Sequence, residues 1–89
     1  MNVEFDKSFE RSILTLKDHS ILPRIETWIL KLEEAKSINK LSGVKKLTGY
    51  KIYYRIRIGD YRLGFEKISD TDIRLIIVAH RKEIYRLFP

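Results

Sequence analysis

Cysteine is absent from the 89 residues, which removes disulfides, thiolate metal sites and cysteine nucleophiles together. Histidine occurs only twice, as His19 and His80, too few for a histidine-built metal centre. No cofactor and no metal are therefore expected. No window approaches the roughly eighteen consecutive apolar residues that span a bilayer. The opening MNVEFDKSFERS has no basic region followed by an apolar run, so it does not read as a signal peptide. The expectation is a cytoplasmic chain with no membrane partner. Acidic residues are the scarce charge: 12 Asp and Glu against 18 Lys and Arg leave a net charge of +6. A small domain with that excess suits an acidic partner, either nucleic acid or an acidic protein segment.

What is present suffices for one core. Apolar residues make up 44% and aromatics 11%, which argues against disorder and for a single domain over residues 1–89. Asn2 to Phe5 alternates and suggests a short strand. Asp6 suits an N-cap ahead of Phe9, Ile13, Leu14 and Leu16 at helical spacing, a helix expected to end near Asp18 to Ser20. Pro23 suits the first turn of a second helix whose apolar face is Ile25, Trp28, Ile29, Leu32 and Ala35. Ser37 to Gly49 loses periodicity and reads as a lysine-bearing loop. Three strands are expected after it: Lys51–Ile58, Tyr61–Ile68 beyond a Gly59-Asp60 turn, and the nearly continuous apolar Ile73–Ala79. The tail HRKEIYRLFP has room for one helical turn. The order β-α-α-β-β-β with a short tail is α+β, a helical hairpin packed on one face of a mainly antiparallel sheet.

The stretch KIYYRIRIGDYRLGFEKI raises the functional question. Residues two apart in a strand share a face, so Lys51, Tyr53, Arg55 and Arg57 point one way and Ile52, Tyr54, Ile56 and Ile58 the other. The isoleucine face suits the core. The cationic face is either solvated, with Glu66 or Asp72 neutralising it, or a phosphate-binding surface. Arg62 follows the turn and falls close to Arg57 or Arg55 across the ladder. Opposed like charges on neighbouring strands cost a few tenths to about 1 kcal/mol, so the cluster needs an offsetting gain. Arginine is also the side chain that grips phosphate bidentately. His80, Arg81 and Tyr85 emerge from the end of the adjoining strand, and Lys45 and Lys46 stand ready for RNA backbone contacts.

The R-x-G-D-Y-R element of Arg57 to Arg62, followed by H-R-K-x-x-Y of His80 to Tyr85, resembles the RelE/ParE superfamily of bacterial type II toxin–antitoxin toxins. The likeness is strongest from Gly49 to Tyr85, and the helical hairpin and length agree with it. That resemblance implies one of two actions: RelE-like members cut messenger RNA on the ribosome, whereas ParE-like members poison DNA gyrase and need no such site. In the RNase branch, Arg62 matches a sheet arginine that stabilises the transition state. Arg81 matches a tail arginine, and Tyr85 a tail tyrosine that stacks on a nucleotide. Arg55 falls where RelE has a lysine, Tyr53 meets a second such lysine position, and Lys51 is nearby. His80 has a counterpart only in some relatives.

The expectation is a ribosome-dependent endoribonuclease of mRNA. Its catalytic set is Arg62, Arg81, Tyr85, His80 and Arg55, with Lys51, Tyr53, Arg57, Lys45 and Lys46 contacting RNA. Arginine stays protonated, so proton transfer falls to His80, Lys51 or Tyr85. Its partners are expected to be the ribosome with its mRNA and a cognate antitoxin, with operator DNA reached only through the antitoxin complex. The rivals are a gyrase-binding toxin and a non-toxic basic RNA- or protein-binding module.

Overall fold

The computed structural model describes residues 1–89. The chain runs β1 (Asn2–Phe5), α1 (Lys7–Leu14), α2 (Leu22–Glu34), β2 (Val44–Lys46), β3 (Tyr53–Ile58), β4 (Tyr61–Lys67), β5 (Asp72–His80) and α3 (Ile84–Leu87), with single 3-10 turns at His19–Ile21 and Ile38–Lys40. The strands form one sheet in the order β1-β5-β4-β3-β2. Its β1–β5 pair is parallel and the other three are antiparallel. Helices α1 and α2 pack on one face over Phe9, Ile25, Leu32, Ile56, Ile58, Leu63, Phe65, Ile73, Leu75 and Val78.

Four local expectations change. The loop between Ser37 and Gly49 contains β2, which pairs Val44, Lys45 and Lys46 with Ile56, Arg55 and Tyr54. Three residues with two lysines give no alternation to read, and lysine is what an edge strand carries to deter further pairing. Helix α1 stops at Leu14, which is 83% exposed; Leu16 is buried from beyond the helix end. Strand β3 begins at Tyr53, so Lys51 and Ile52 lie before it, and Ile52 is 42% exposed instead of core. Trp28 is only partly buried, its ring filling the space beside Gly43, where an added Cβ would meet it at 3.1 Å.

Strand β5 is interior, as its apolar run suggests, but it is not regular. Gly64 pairs with Ile77 while Phe65 pairs with Leu75, so Ile76 is an extra residue in a β-bulge. Beyond Leu75 the strand has outrun β1, and α1 covers that edge. Ser12 Oγ accepts from the Val78 amide at 3.0 Å, and the Ser8 hydroxyl lies 2.6 Å from the Ile76 carbonyl. Four residues apart on α1, the two serines occupy one helix face and take the place of the missing strand. Asp6 caps the same helix, accepting from the Ser8 amide at 3.0 Å. Ser12→Ala should therefore leave the Val78 amide unpaired, lowering stability by about 1–3 kcal/mol and speeding hydrogen exchange at that amide. A melt and an exchange profile matching wild type would refute this seam.

Three carboxyls are held below their ordinary range by hydrogen bonds. Asp6 is lowered by the Ser8 hydroxyl and amide, Asp18 by those of Ser20, and Asp72 by Thr71, Asn2 and Ser69. A depressed folded pKa stabilises above the unfolded value of about 3.9 and is lost as pH falls through the folded one. The melting temperature is accordingly expected to drop on acidification below about pH 4. Replacing all three with asparagine, which can still accept these hydrogen bonds but does not titrate, should flatten that acid branch; an unchanged acid profile would contradict the linkage.

Candidate nucleic-acid interface

Strand alternation builds the site. Tyr54, Ile56 and Ile58 of β3 are buried toward the helices, so Tyr53, Arg55 and Arg57 occupy the other face. Register brings further cations to them. Arg57 lies directly opposite Arg62, and Arg55 has Gly64 on one side and Lys45 on the other. Together with Gly43, Val44 and Tyr85, these four cations line one groove of about 450 Å³. No carboxylate lines it. The neutralising partners considered from sequence act elsewhere: Glu66 binds Arg74 at 2.8 Å, and Asp72 binds Ser69 and Thr71.

Arg62 is the fixed member of the cluster. Its Nη1 donates to the Gly59 carbonyl at 2.9 Å and the Tyr61 carbonyl at 2.8 Å, folding the guanidinium back on its own turn. That turn exists because Gly59 takes a φ of 58°, a left-handed conformation suited to the first position of a type II′ hairpin. Burial, followed by the charges of Arg57 and Arg55, holds Arg62 below the ordinary guanidinium value; Arg81 adds to the same effect. The group remains a cation, but one whose charge is destabilised until an anion arrives. Arg81 sits at the rim: its amide donates to the Asp60 carbonyl at 2.7 Å, and its Nε is 3.8 Å from the Asp60 carboxylate. Both side chains are largely exposed, so that ion pair is weak and easily exchanged for phosphate.

Tyr85 comes from α3. It is 75% exposed, and its ring takes the Arg55 guanidinium at 4.8 Å from its centre. The stacked pair forms one wall of the groove, with the outer face of the phenol open to a second planar group.

Other expected site residues lie elsewhere. His80 pairs with Tyr61, and Ala79 pairs with Arg62, so His80 points to the opposite side of the sheet from the arginines. It packs edge-on against Tyr61, accepts from the Lys82 amide at 3.2 Å, and lines a different cavity with Ser8, Ser12 and Glu83. Tyr53 shares the arginine face but is covered by Tyr50 and Phe88, with ring centres at 5.6 and 5.5 Å. Lys46 lies opposite Tyr54 and therefore on the helix side, where it joins Lys51 and Lys67 around a separate cleft. The register could be guessed from the Gly59-Asp60 turn, but the short strand that carries Lys45 into the groove has no sequence signature. The cavity beside His80, about 550 Å³, is larger than the groove. Size does not decide here: Glu83 lines the larger cavity beside its cations, whereas the groove joins three arginines and a lysine with no carboxylate.

A hydrophobic sheet face bearing two helices, with a cationic groove on its reverse, defines a small basic α+β domain suited to an anionic partner. Comparison with known proteins adds the family. Residues 3–85 match the family described as ParE toxin of the type II toxin–antitoxin system parDE. The chain is 42% identical over 90 residues to Toxin RelE3 of Methanocaldococcus jannaschii, covering the whole of both chains. It superposes with a TM-score of 0.79 and 38% identity on a chain of the RelB–RelE antitoxin–toxin complex from Methanococcus jannaschii, covering 97% of this chain and 99% of that one. The isolated E. coli RelE toxin shares the fold alone, with a TM-score of 0.68 at 16% identity over 98% of each chain. The chain belongs to the RelE/ParE superfamily of type II toxin–antitoxin toxins.

The opposed arginines give a stability test free of any assumption about activity. Arg57→Gln removes half of the Arg57–Arg62 pair, and Arg57 is exposed, so little packing goes with it. Stability at low salt should rise by a few tenths to about 1 kcal/mol. The gain should shrink as salt screens the cluster. A lower melting temperature in low salt would show that Arg57 holds the sheet together instead.

Proposed function

We propose that the chain is a ribosome-dependent endoribonuclease that cleaves messenger RNA and is held inactive by a cognate antitoxin. The observation that carries this reading is the groove: Arg55, Arg57, Arg62 and Lys45 converge without a carboxylate, beside an exposed tyrosine ring. A scissile phosphate seated there meets the charge it lacks. In the reaction the ribose 2′-oxygen loses its proton and bonds to phosphorus, while the bond from phosphorus to the 5′-oxygen breaks and that oxygen takes up a proton. Charge builds on the phosphorane oxygens, and Arg62 with Arg57, assisted from the rim by Arg81, stabilises it. Cationic side chains thus supply what a metal would otherwise provide. Tyr85 stacks on a base splayed out of its strand, and Lys45, which lines the same groove, is the proton donor this reading assigns to the leaving oxygen.

The groove offers no free base. His80 is on the other face, Lys51 lies outside the groove, the arginines stay protonated, and Tyr85, the remaining candidate, is given to stacking, with its ring against Arg55. The proton acceptor is therefore supplied by the nucleic acid of the ribosome–mRNA complex, and the isolated protein should be nearly inert on naked RNA. Lys46, Lys51 and Lys67, on the helix side, fit ribosomal RNA backbone.

The antitoxin follows from charge and from relatives. A toxin 38% identical to this chain was solved in complex with RelB. A partner segment that is acidic and folds as it binds would suit a domain of net charge +6. The matching ParE family description keeps a second reading open, that of a gyrase-directed binding toxin, which would have no use for a preformed arginine groove.

Arg62→Ala separates the two readings. Single-turnover cleavage on programmed ribosomes should fall by on the order of 10²-fold or more, with the fold intact by thermal melt. Arg62→Lys should restore only part of it, because a point charge lacks the planar fork. Wild-type cleavage by Arg62→Ala would overturn the site. Induced cells that keep translating while accumulating gyrase–DNA cleavage complexes would establish the second reading.

A further inference from the structure

The outer face of the sheet carries a second, smaller apolar cluster. Ala79, Ile84 and Phe88 are its buried members, with Leu47, Tyr53, Ile76 and Ile77 packed around them. Its seat is Gly64. A Cβ added there would lie 2.7–2.9 Å from three carbons of the Phe88 ring, closer than side-chain carbons approach one another. Gly64 is in the middle of β4 with ordinary strand backbone, so its value is space and not conformation. The same Gly64 is the register partner of Arg55, the residue that Tyr85 covers. Phe88 is 4% exposed, meets Tyr53 edge-on at 5.5 Å, and its amide donates to the Ile84 carbonyl at 2.8 Å. A helix of four residues cannot hold itself together, so α3 depends on Ile84 and Phe88 for its place.

We propose that Gly64 and Phe88 are positioning residues that set Tyr85 over Arg55, with the missing side chain of Gly64 forming the socket for the Phe88 ring. The inference rests on reading the arginine groove as the RNA-cleaving site, but its geometric half can be measured without cleavage. Tyr85 and Phe88 are three positions apart, and the turn between them transmits the seating of the buried ring to the exposed one. Gly64→Ala adds one methyl group beneath Phe88, whose ring carbons are the atoms nearest to it, and lifts the tail. Tyr85 then no longer covers Arg55.

The experiment compares wild type with Gly64→Ala, Phe88→Leu, Tyr85→Ala and the Gly64→Ala/Tyr85→Ala double variant. The first readout is the ring-current shift that Tyr85 imposes on the Arg55 side-chain protons of the free protein, by NMR. The second is single-turnover cleavage on programmed ribosomes, together with ribosome affinity. Gly64→Ala is expected to abolish the shift and to slow cleavage about 10- to 100-fold, as loss of one stacked base would. Affinity should change much less, and the double variant should be no slower than Tyr85→Ala. Phe88→Leu keeps an apolar side chain in the seat and serves if Gly64→Ala does not fold; it too should lose most of the shift. A shift that survives both substitutions overturns the proposal, and so does a double variant whose losses multiply. If the shift vanishes while Gly64→Ala and Tyr85→Ala both cleave at the wild-type rate, the socket stands and the role given to Tyr85 in cleavage falls.

Discussion

Everything on the outer face depends on keeping like charges together. Arg57 faces Arg62 across the β3–β4 ladder, and no carboxylate lines the groove they share. Left to themselves such side chains separate, at a gain of a few tenths to about 1 kcal/mol per opposed pair. What opposes separation lies on the reverse of the same strands. Ile56, Ile58 and Leu63 are fully buried, and burial of such side chains is worth about 1.5–3 kcal/mol each. The core term wins by several-fold. Strand alternation ties the two together, since no residue of YYRIRI can turn its isoleucines inward without turning its arginines outward. The cationic face is thus preformed before any anion arrives, and binding one relieves its repulsion.

The hierarchy of packing explains which parts are rigid. The larger core between sheet and helices fixes Arg55, Arg57 and Arg62, because they sit on interior strands. Arg81 and Tyr85 lie beyond the last strand, on a tail held mainly by the three-residue cluster of Ala79, Ile84 and Phe88. Elements with so few buried contacts open at lower free energy than the strands beneath them. The electrostatic half of the groove is therefore the permanent one, and the aromatic half is the one that can be lost separately.

Much of this was legible in the sequence. The helical hairpin, the Gly59-Asp60 turn and the two faces of β3 follow from periodicity and turn chemistry, and the turn alone predicted that Arg62 would meet Arg57 or Arg55. What escaped was non-local. The bulge at Ile76 offsets Ala79 and His80 from the simple count, and the facing of His80 depends on its pairing with Tyr61. Ser8 and Ser12 carry no signal in the helical pattern, yet they satisfy the edge of β5. Tyr53 reads as a site residue by alternation, and only the return of the tail shows that Phe88 covers it. Gly64 gives no signal at all, because a glycine that provides space for a residue 24 positions later looks like any other strand glycine.

On the proposed reading, the division of labour within the groove accounts for a toxin that is safe until it is docked. Stabilising a phosphorane needs fixed cations, and a sheet can hold those permanently. Removing a proton needs a group that is unprotonated and aimed at the 2′-oxygen, and the one histidine near the sheet end is turned to the other side by the register of β5. A groove with the first and without the second attracts any RNA through its charge, but lowers the barrier only where bound nucleic acid completes it. Selectivity then comes from an omission, since electrostatic attraction alone cannot tell one phosphate from another. On that reading the repulsion between Arg57 and Arg62 is carried for as long as the domain is folded, whereas a domain that acted only by docking on a protein could lose these arginines and keep its core.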